Sequence, residues 1–167
     1  MFGGTFELGV LLLRLSDEAL FFFAFPPCTH VAVSGARDFI EKGTAMLRDS
    51  LEMFSAAEHA ARWSGLPFMI ENPVGKFSDH MRKPQYVFQP WQFGDLYNKA
   101  TCLWIGNGFR VPRSIHISKP EGVTDYIHKM GPSAKRAELR STTPKGFARA
   151  VFEENRYLIE KFKRGRR

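Results

Sequence analysis

The sequence predicts an α/β fold built on an open sheet, and three observations carry that expectation. An unbroken apolar run, Phe21 to Phe25, is stopped by Pro26 and Pro27; a stripe of helical period follows; and a second short apolar run, Phe68 to Ile70, stops at Glu71-Asn72-Pro73. Such a strand-helix-strand unit makes a right-handed crossover with parallel strands, so the residues after each strand emerge at one edge of the sheet. Ligands bind at that edge in open α/β folds. Cys28 and Glu71 are therefore expected on one rim, on strands spaced about 4.8 Å apart if the two pair.

Residues 1 to 20 predict no definite element: Leu8 to Leu20 suits a short helix or a strand and turn. Phe21 to Phe25 has the length of a strand buried on both faces, and proline, which cannot donate to a sheet ladder, ends it. Ser34 suits the N-cap of a helix in which Ile40, Leu47, Leu51, Phe54, Ala57 and Ala61 recur at three- or four-residue spacing up to about Trp63. Gly43 weakens that helix locally and Gly65 ends it. Gln85 to Gln89 and Ala100 to Ile105 read as two more strands closing the sheet in a hairpin-like way, with Trp91-Gln92-Phe93-Gly94 as a turn between them and Gly106 to Gly108 as a turn after them. From Phe109 to Ser141 no period is sustained, and an extended loop is expected. Thr143-Pro144 then offers an N-cap with proline at the first helical position, and Phe147, Val151, Leu158 and Phe162 stripe a final helix.

At 167 residues and 44% hydrophobic, the chain suits a single domain over residues 1–160 followed by a basic tail, 161–167. Val10 to Leu13 is interrupted by Arg14, Asp17 and Glu18, so neither signal peptide nor spanning helix is expected and the location reads as cytoplasmic. Two cysteines, Cys28 and Cys102, make no disulfide framework, and no zinc-type spacing is present, so no metal is expected. The net charge of +7 is uneven. Residues 1–109 hold 9 basic and 11 acidic groups, and residues 110–167 hold 15 basic and 6 acidic. A cationic C-terminal third with a basic tail suits phosphate contact, although such tails also serve solubility alone. Arg110, Arg113, Lys135, Arg136 and Arg140, in irregular sequence, are the candidates for it.

A pyrimidine is electrophilic at C6. A cysteine thiolate adding there turns C5 into a carbon nucleophile, and an acid at N3 and the exocyclic amine stabilises the charge that develops. Pro-Pro-Cys and Glu-Asn-Pro supply both groups, with Cys28 as nucleophile and Glu71 as acid. Reaching a base in a duplex this way also requires it to leave the stack.

At these residues the chain resembles the DNA cytosine-5 methyltransferases, in which Pro-Cys follows one central strand and Glu-Asn-Val the next. It is most similar to a short, often phage-encoded branch of cytosine-methyltransferase-like proteins, through PPCTHVAVSGA (Pro26 to Ala36), IENP (Ile70 to Pro73), QPWQFG (Gln89 to Gly94) and KATCLWI (Lys99 to Ile105). HKMGPSAKRAELRSTTPKGFARA extends the likeness to Ala150. The resemblance implies a Rossmann-like S-adenosylmethionine-dependent methyltransferase fold and methyl transfer from S-adenosylmethionine to C5 of cytosine in DNA. It also implies that Pro26, Pro27, Thr29, Asn72 and Pro73 bind the base. Asn72-Pro73 departs from Asn-Val.

Twenty-seven residues precede Cys28, fewer than the strand-helix units that carry the cofactor in the family, and Phe2-Gly3-Gly4-Thr5-Phe6 is only a faint match to its glycine loop. The N-terminal part of the fold is accordingly expected to be incomplete. This keeps a second expectation open, a cofactor-less remnant that binds nucleic acid or a partner subunit, and a third, a site completed by a partner chain or homo-oligomer. Amine methylation fits less well, since such enzymes place Asn or Asp before Pro-Pro and an aromatic after it. Cys28 alone would suit a buried hydrophobe and Glu71 a cap of the next turn; their pairing favours chemistry. Cys102 reads as core, while Trp91, Phe93 and Trp104 suit sheet packing or base stacking. His30 reads as a polar loop residue.

Overall fold

The computed structural model describes residues 19–28 and 39–165. Four strands, β1 (Phe22–Ala24), β2 (Phe68–Pro73), β3 (Tyr86–Phe88) and β4 (Thr101–Gly106), form a mixed sheet in the order β1-β2-β4-β3. The helices are α1 (Phe39–Trp63), α2 (Phe77–His80), α3 (Tyr126–Lys129), α4 (Ala134–Ser141) and α5 (Lys145–Gly165), with a 3-10 turn at Pro90–Phe93. The α/β class and the strand-helix-strand unit expected from sequence are present: β1 and β2 pair in parallel, with Phe22 beside Phe68, Phe23 beside Met69 and Ala24 beside Ile70. None of the described helices is long and apolar enough to cross a membrane.

The chain divides into two compact units, Met1–Tyr86 with Cys102–Phe109, and Val87–Thr101 with Arg110–Arg167. In the first, α1 lays Phe54 and Ala61 onto Phe68 and Ile70 of β2 and Cys102 and Trp104 of β4, with Phe77 of α2 closing the cluster. Phe54 stacks on Phe77 at 4.6 Å between ring centroids and meets Trp104 edge-on at 4.9 Å. Trp104 is fully buried because its indole N–H has a partner, the Arg82 carbonyl at 2.8 Å. The Arg82 Nε in turn donates to Glu58 Oε1 at 2.7 Å, an oxygen that also accepts from Arg62. Burial alone would raise the Glu58 carboxyl, but these two guanidinium groups outweigh it and hold the pKa below its ordinary value. Helix α1 ends at Trp63, and Gly65, with φ +68°, turns the chain toward β2.

In the second unit, Phe88, Phe93 and Phe147 pack ring on ring, with Phe88 and Phe147 stacked at 4.0 Å. The 3-10 turn that presents Phe93 is closed by a reciprocal capping box between Gln89 and Gln92, and Gly94 leaves it with φ +92°. The QPWQFG segment is thus a self-closing turn. Lys99 is buried, its Nζ donating to the Thr142 carbonyl just past α4 at 2.8 Å.

Four sequence expectations are corrected. Strand β1 is three residues long rather than five and is not buried on both faces, since Phe23 is 45% and Phe25 51% exposed. It lies at one end of the described sheet, and only Phe22 and Ala24 pack against the core. Strand β2 does not stop at Glu71 but continues through Asn72 and Pro73. The supposed loop from Phe109 to Ser141 holds α3 and α4; α4 is capped by Ser133 Oγ, which accepts the Arg136 N–H, and buries no residue, so it left no apolar period to read. Finally, Pro144 precedes α5 instead of opening it, its carbonyl accepting from the Ala148 N–H at 2.9 Å. The Ser34 cap and the readings for residues 1–18 lie outside the described residues.

Candidate active site

The site assembles where β1 and β2 end side by side. Because Ala24 sits beside Ile70, the prolines after β1 run alongside Glu71-Asn72-Pro73 at the end of β2. Asn72 is 1% exposed, and its side-chain Nδ2 donates to the Pro26 carbonyl at 2.6 Å. That bond joins residues 46 positions apart and fixes the backbone two residues before Cys28. Pro26 lacks an N–H and is buried, so its carbonyl is its only polar backbone group, and Asn72 satisfies it. Asn72 Oδ1 is buried with no hydrogen-bond partner among the described residues.

Cys28 is half-buried and packs against the cluster of Phe68, Ile70 and Cys102. Glu71 is a buried carboxylate, 6% exposed. It lies close enough to Cys102 to act on its thiol, whose pKa is pushed up to about 11, chiefly by burial and further by the Glu71 charge. Cys102 is thereby kept as an unreactive thiol within the core, as its sequence setting predicted. In the native chain, a thiol reagent at neutral pH is expected to label Cys102 only after denaturant is added; labelling of Cys102 in native Cys28→Ala protein would contradict this placement.

Of the other residues expected to bind the base, Pro27 is exposed and Pro73 half-buried, while Thr29 and also His30 lie outside the described residues. Phe93 and Trp104 are core residues at 5% and 1% exposure and offer no stacking face, whereas Trp91 is half-buried. Among the described residues no three His, Cys, Asp or Glu groups gather to hold a metal ion. Nor do those residues form a cradle suited to S-adenosylmethionine: no described strand leads through a glycine turn into a helix longer than one turn, since β2 runs through Gly75 only to the four-residue α2. Phe2-Gly3-Gly4-Thr5-Phe6 lies outside the described residues.

The phosphate candidates all belong to the second unit. Lys135, Arg136 and Arg140 stand on α4 rather than in irregular chain, with Lys135 paired to Glu138 at 3.0 Å. Arg110 and Arg113 are exposed. Sequence reasoning missed Asn155 and Tyr157, which hold Arg110 in place. Asn155 was visible only as a polar residue within the Phe147-Val151 stripe of α5. No family model matches the chain, and neither does any curated protein or solved structure.

Proposed function

We propose that this chain carries the base-activating chemistry of a DNA cytosine-5 methyltransferase, with Cys28 as nucleophile and Glu71 as acid. The observation that supports the reading is the parallel β1-β2 pair with its Asn72–Pro26 bond, which brings Pro-Pro-Cys and Glu-Asn-Pro to one sheet edge. In the step proposed, the Cys28 thiolate forms an Sγ–C6 bond to cytosine. The C5=C6 electron pair shifts to C4=C5 and the N3=C4 pair moves onto N3, which takes a proton from Glu71, leaving an enamine that is nucleophilic at C5. The donor implied by resemblance, S-adenosylmethionine, would supply an electrophilic methyl group for that carbon. Asn72 acts here as a positioning residue for the nucleophile's loop.

An oligonucleotide in which 2-pyrimidinone replaces cytosine tests the addition without any methyl donor, because the unsubstituted ring takes up thiolates at C6. A covalent adduct on a denaturing gel is expected from the full chain and none from Cys28→Ala. Glu71→Gln is expected to form it about 100-fold or more slowly. Absence of adduct with the native chain would overturn the reading. The cationic stretch 110–167 is the observation behind a second reading, a nucleic-acid or partner-binding protein that transfers no methyl group. Calorimetry decides between them: heat of binding on titration with S-adenosylmethionine rules out that second reading, and adduct formation on 5-fluorocytosine DNA only after a partner chain is added would point to a shared site.

A further inference from the structure

Arg110 is held in a way that surface arginines seldom are. Its backbone N–H donates to Asn155 Oδ1 at 3.0 Å, and its carbonyl accepts from Asn155 Nδ2 at 2.8 Å. Asn155 is 1% exposed, and the same Nδ2 also reaches the Val151 carbonyl at 2.9 Å, which ties this clamp to the body of α5. Beyond the clamped backbone, the guanidinium carbon lies 3.8 Å from the centroid of the Tyr157 ring. Backbone and side chain are both oriented by one helix.

The stack on Tyr157 offsets part of the side-chain entropy that this ordering costs, and it leaves the guanidinium donors unused. Arg110 uses none of them on protein: among the described residues no carboxylate pairs with it and no acceptor bonds its guanidinium. Arg156, on the same helix, shows the contrast, with Glu153 at 3.4 Å and Glu160 at 3.5 Å. Stacking occupies the flat face of the guanidinium and leaves its N–H edges for an oxyanion, the geometry that suits bidentate phosphate contact. Arg113 is exposed three residues further on, and residues 110–167 carry nine more basic than acidic groups. Phe152, 53% exposed, stands on α5 at helical spacing from Arg149 and Arg156, an aromatic among cations.

We infer that Arg110, stacked on Tyr157 and clamped by Asn155, is a preorganised phosphate contact for a nucleic-acid strand. Excess positive charge with an exposed aromatic favours nucleic acid over a phosphorylated peptide, which would need a single deep pocket instead of an open cationic surface. The inference extends the DNA side of the proposed function, but it is read by equilibrium binding and requires no adduct at Cys28.

Fluorescence anisotropy of the full chain with a labelled single strand and a labelled duplex, across about 50 to 200 mM salt, gives affinity and salt slope together. Arg110→Gln is expected to weaken binding severalfold on every sequence and to reduce the slope by about 0.7 to 0.9, the release of one phosphate contact. Tyr157→Leu keeps the charge and loses the stack, so it should weaken binding with the slope unchanged. Cys28→Ala should bind as the native chain does, which separates failure here from failure of the base chemistry. Native affinity and slope in Arg110→Gln, at an unchanged melting temperature, would overturn the assignment. So would failure of the native chain to bind either oligonucleotide, or Arg110-dependent binding only to phosphatidylserine vesicles, which would place a lipid surface there instead.

Discussion

Gly146→Ala is expected to destabilise the chain by about 3 kcal/mol or more, combining overpacking with the loss of a helix cap. A Cβ at position 146 would run into the backbone carbonyl of Phe93 and stand 3.0 Å from Asp95 Oδ2. Neither neighbour can swing aside. The Phe93 carbonyl belongs to a turn locked by the Gln89–Gln92 capping box, and Asp95 Oδ2 accepts the Gly146 N–H at 2.7 Å. That bond satisfies one of the unpaired donors in the first turn of α5, through an acid 51 positions away. Moving α5 outward to make room would part Phe147 from Phe88 and Phe93, the aromatic centre of this unit. A fall of about 6 to 12 °C in melting temperature is the expected readout. Asp95→Asn, which keeps an acceptor, should cost about 1 kcal/mol or less. A Gly146→Ala protein that melts with the native chain would refute the close approach.

Asn72→Asp is the second large effect, and its size depends on pH. The substitution removes the donor to the Pro26 carbonyl and sets a carboxyl against that carbonyl in a position 1% exposed. Burial and the facing dipole both disfavour the ionised form, so the folded-state pKa is raised above the ordinary value of about 3.9. The folded protein then binds more protons than the unfolded chain, and stability falls as pH rises above about 4. Near pH 3 the neutral carboxyl can still donate to Pro26, and the variant should lie within about 1 kcal/mol of the native chain at the same pH. At pH 7 the cost is expected to be about 3 to 5 kcal/mol. Asn72→Ala, which only strands the carbonyl, should cost about 1 to 3 kcal/mol with no such pH dependence. Urea denaturation of all three proteins at the two pH values checks the order; an Asn72→Asp penalty that is flat with pH would show that position 72 is not shut off from water.

Apolar runs and their terminators made the centre of the fold legible in the sequence. Phe68 to Ile70 and Thr101 to Ile105 are continuous because both strands lie inside the sheet, and the α1 stripe was readable because Leu47, Leu51, Phe54 and Ala61 meet them. The same rule misled at Phe21 to Phe25. A run of phenylalanines looks alike whether a strand is covered on two faces or one, and only the pairing order places β1 at the end of the described sheet. Helix α4 was illegible for the opposite reason, being capped by Ser133 without a buried residue, and α3 is a single turn that buries only Ile127, too little to leave a period. At the site, Cys28 and Glu71 were visible as residue types near the ends of two paired strands, while the bond from Asn72 to the Pro26 carbonyl was not. The Asn155 clamp was hidden because a tie from a helix to a backbone 45 positions earlier leaves no local pattern.

The 46-residue separation between Pro26 and Asn72 makes the bond that joins them a long-range closure of the chain. Strand β1 is too short to persist alone, and closing that span costs about 3 kcal/mol of chain entropy before any contact across it is gained. The Phe22 N–H, which donates to the Pro67 carbonyl at 3.0 Å, is one of the contacts made across that closure. Its amide exchange rate reports how often the strand lets go. Each such opening releases the backbone that leads to Cys28, so the placement of this thiol depends on the long-range closure of the chain.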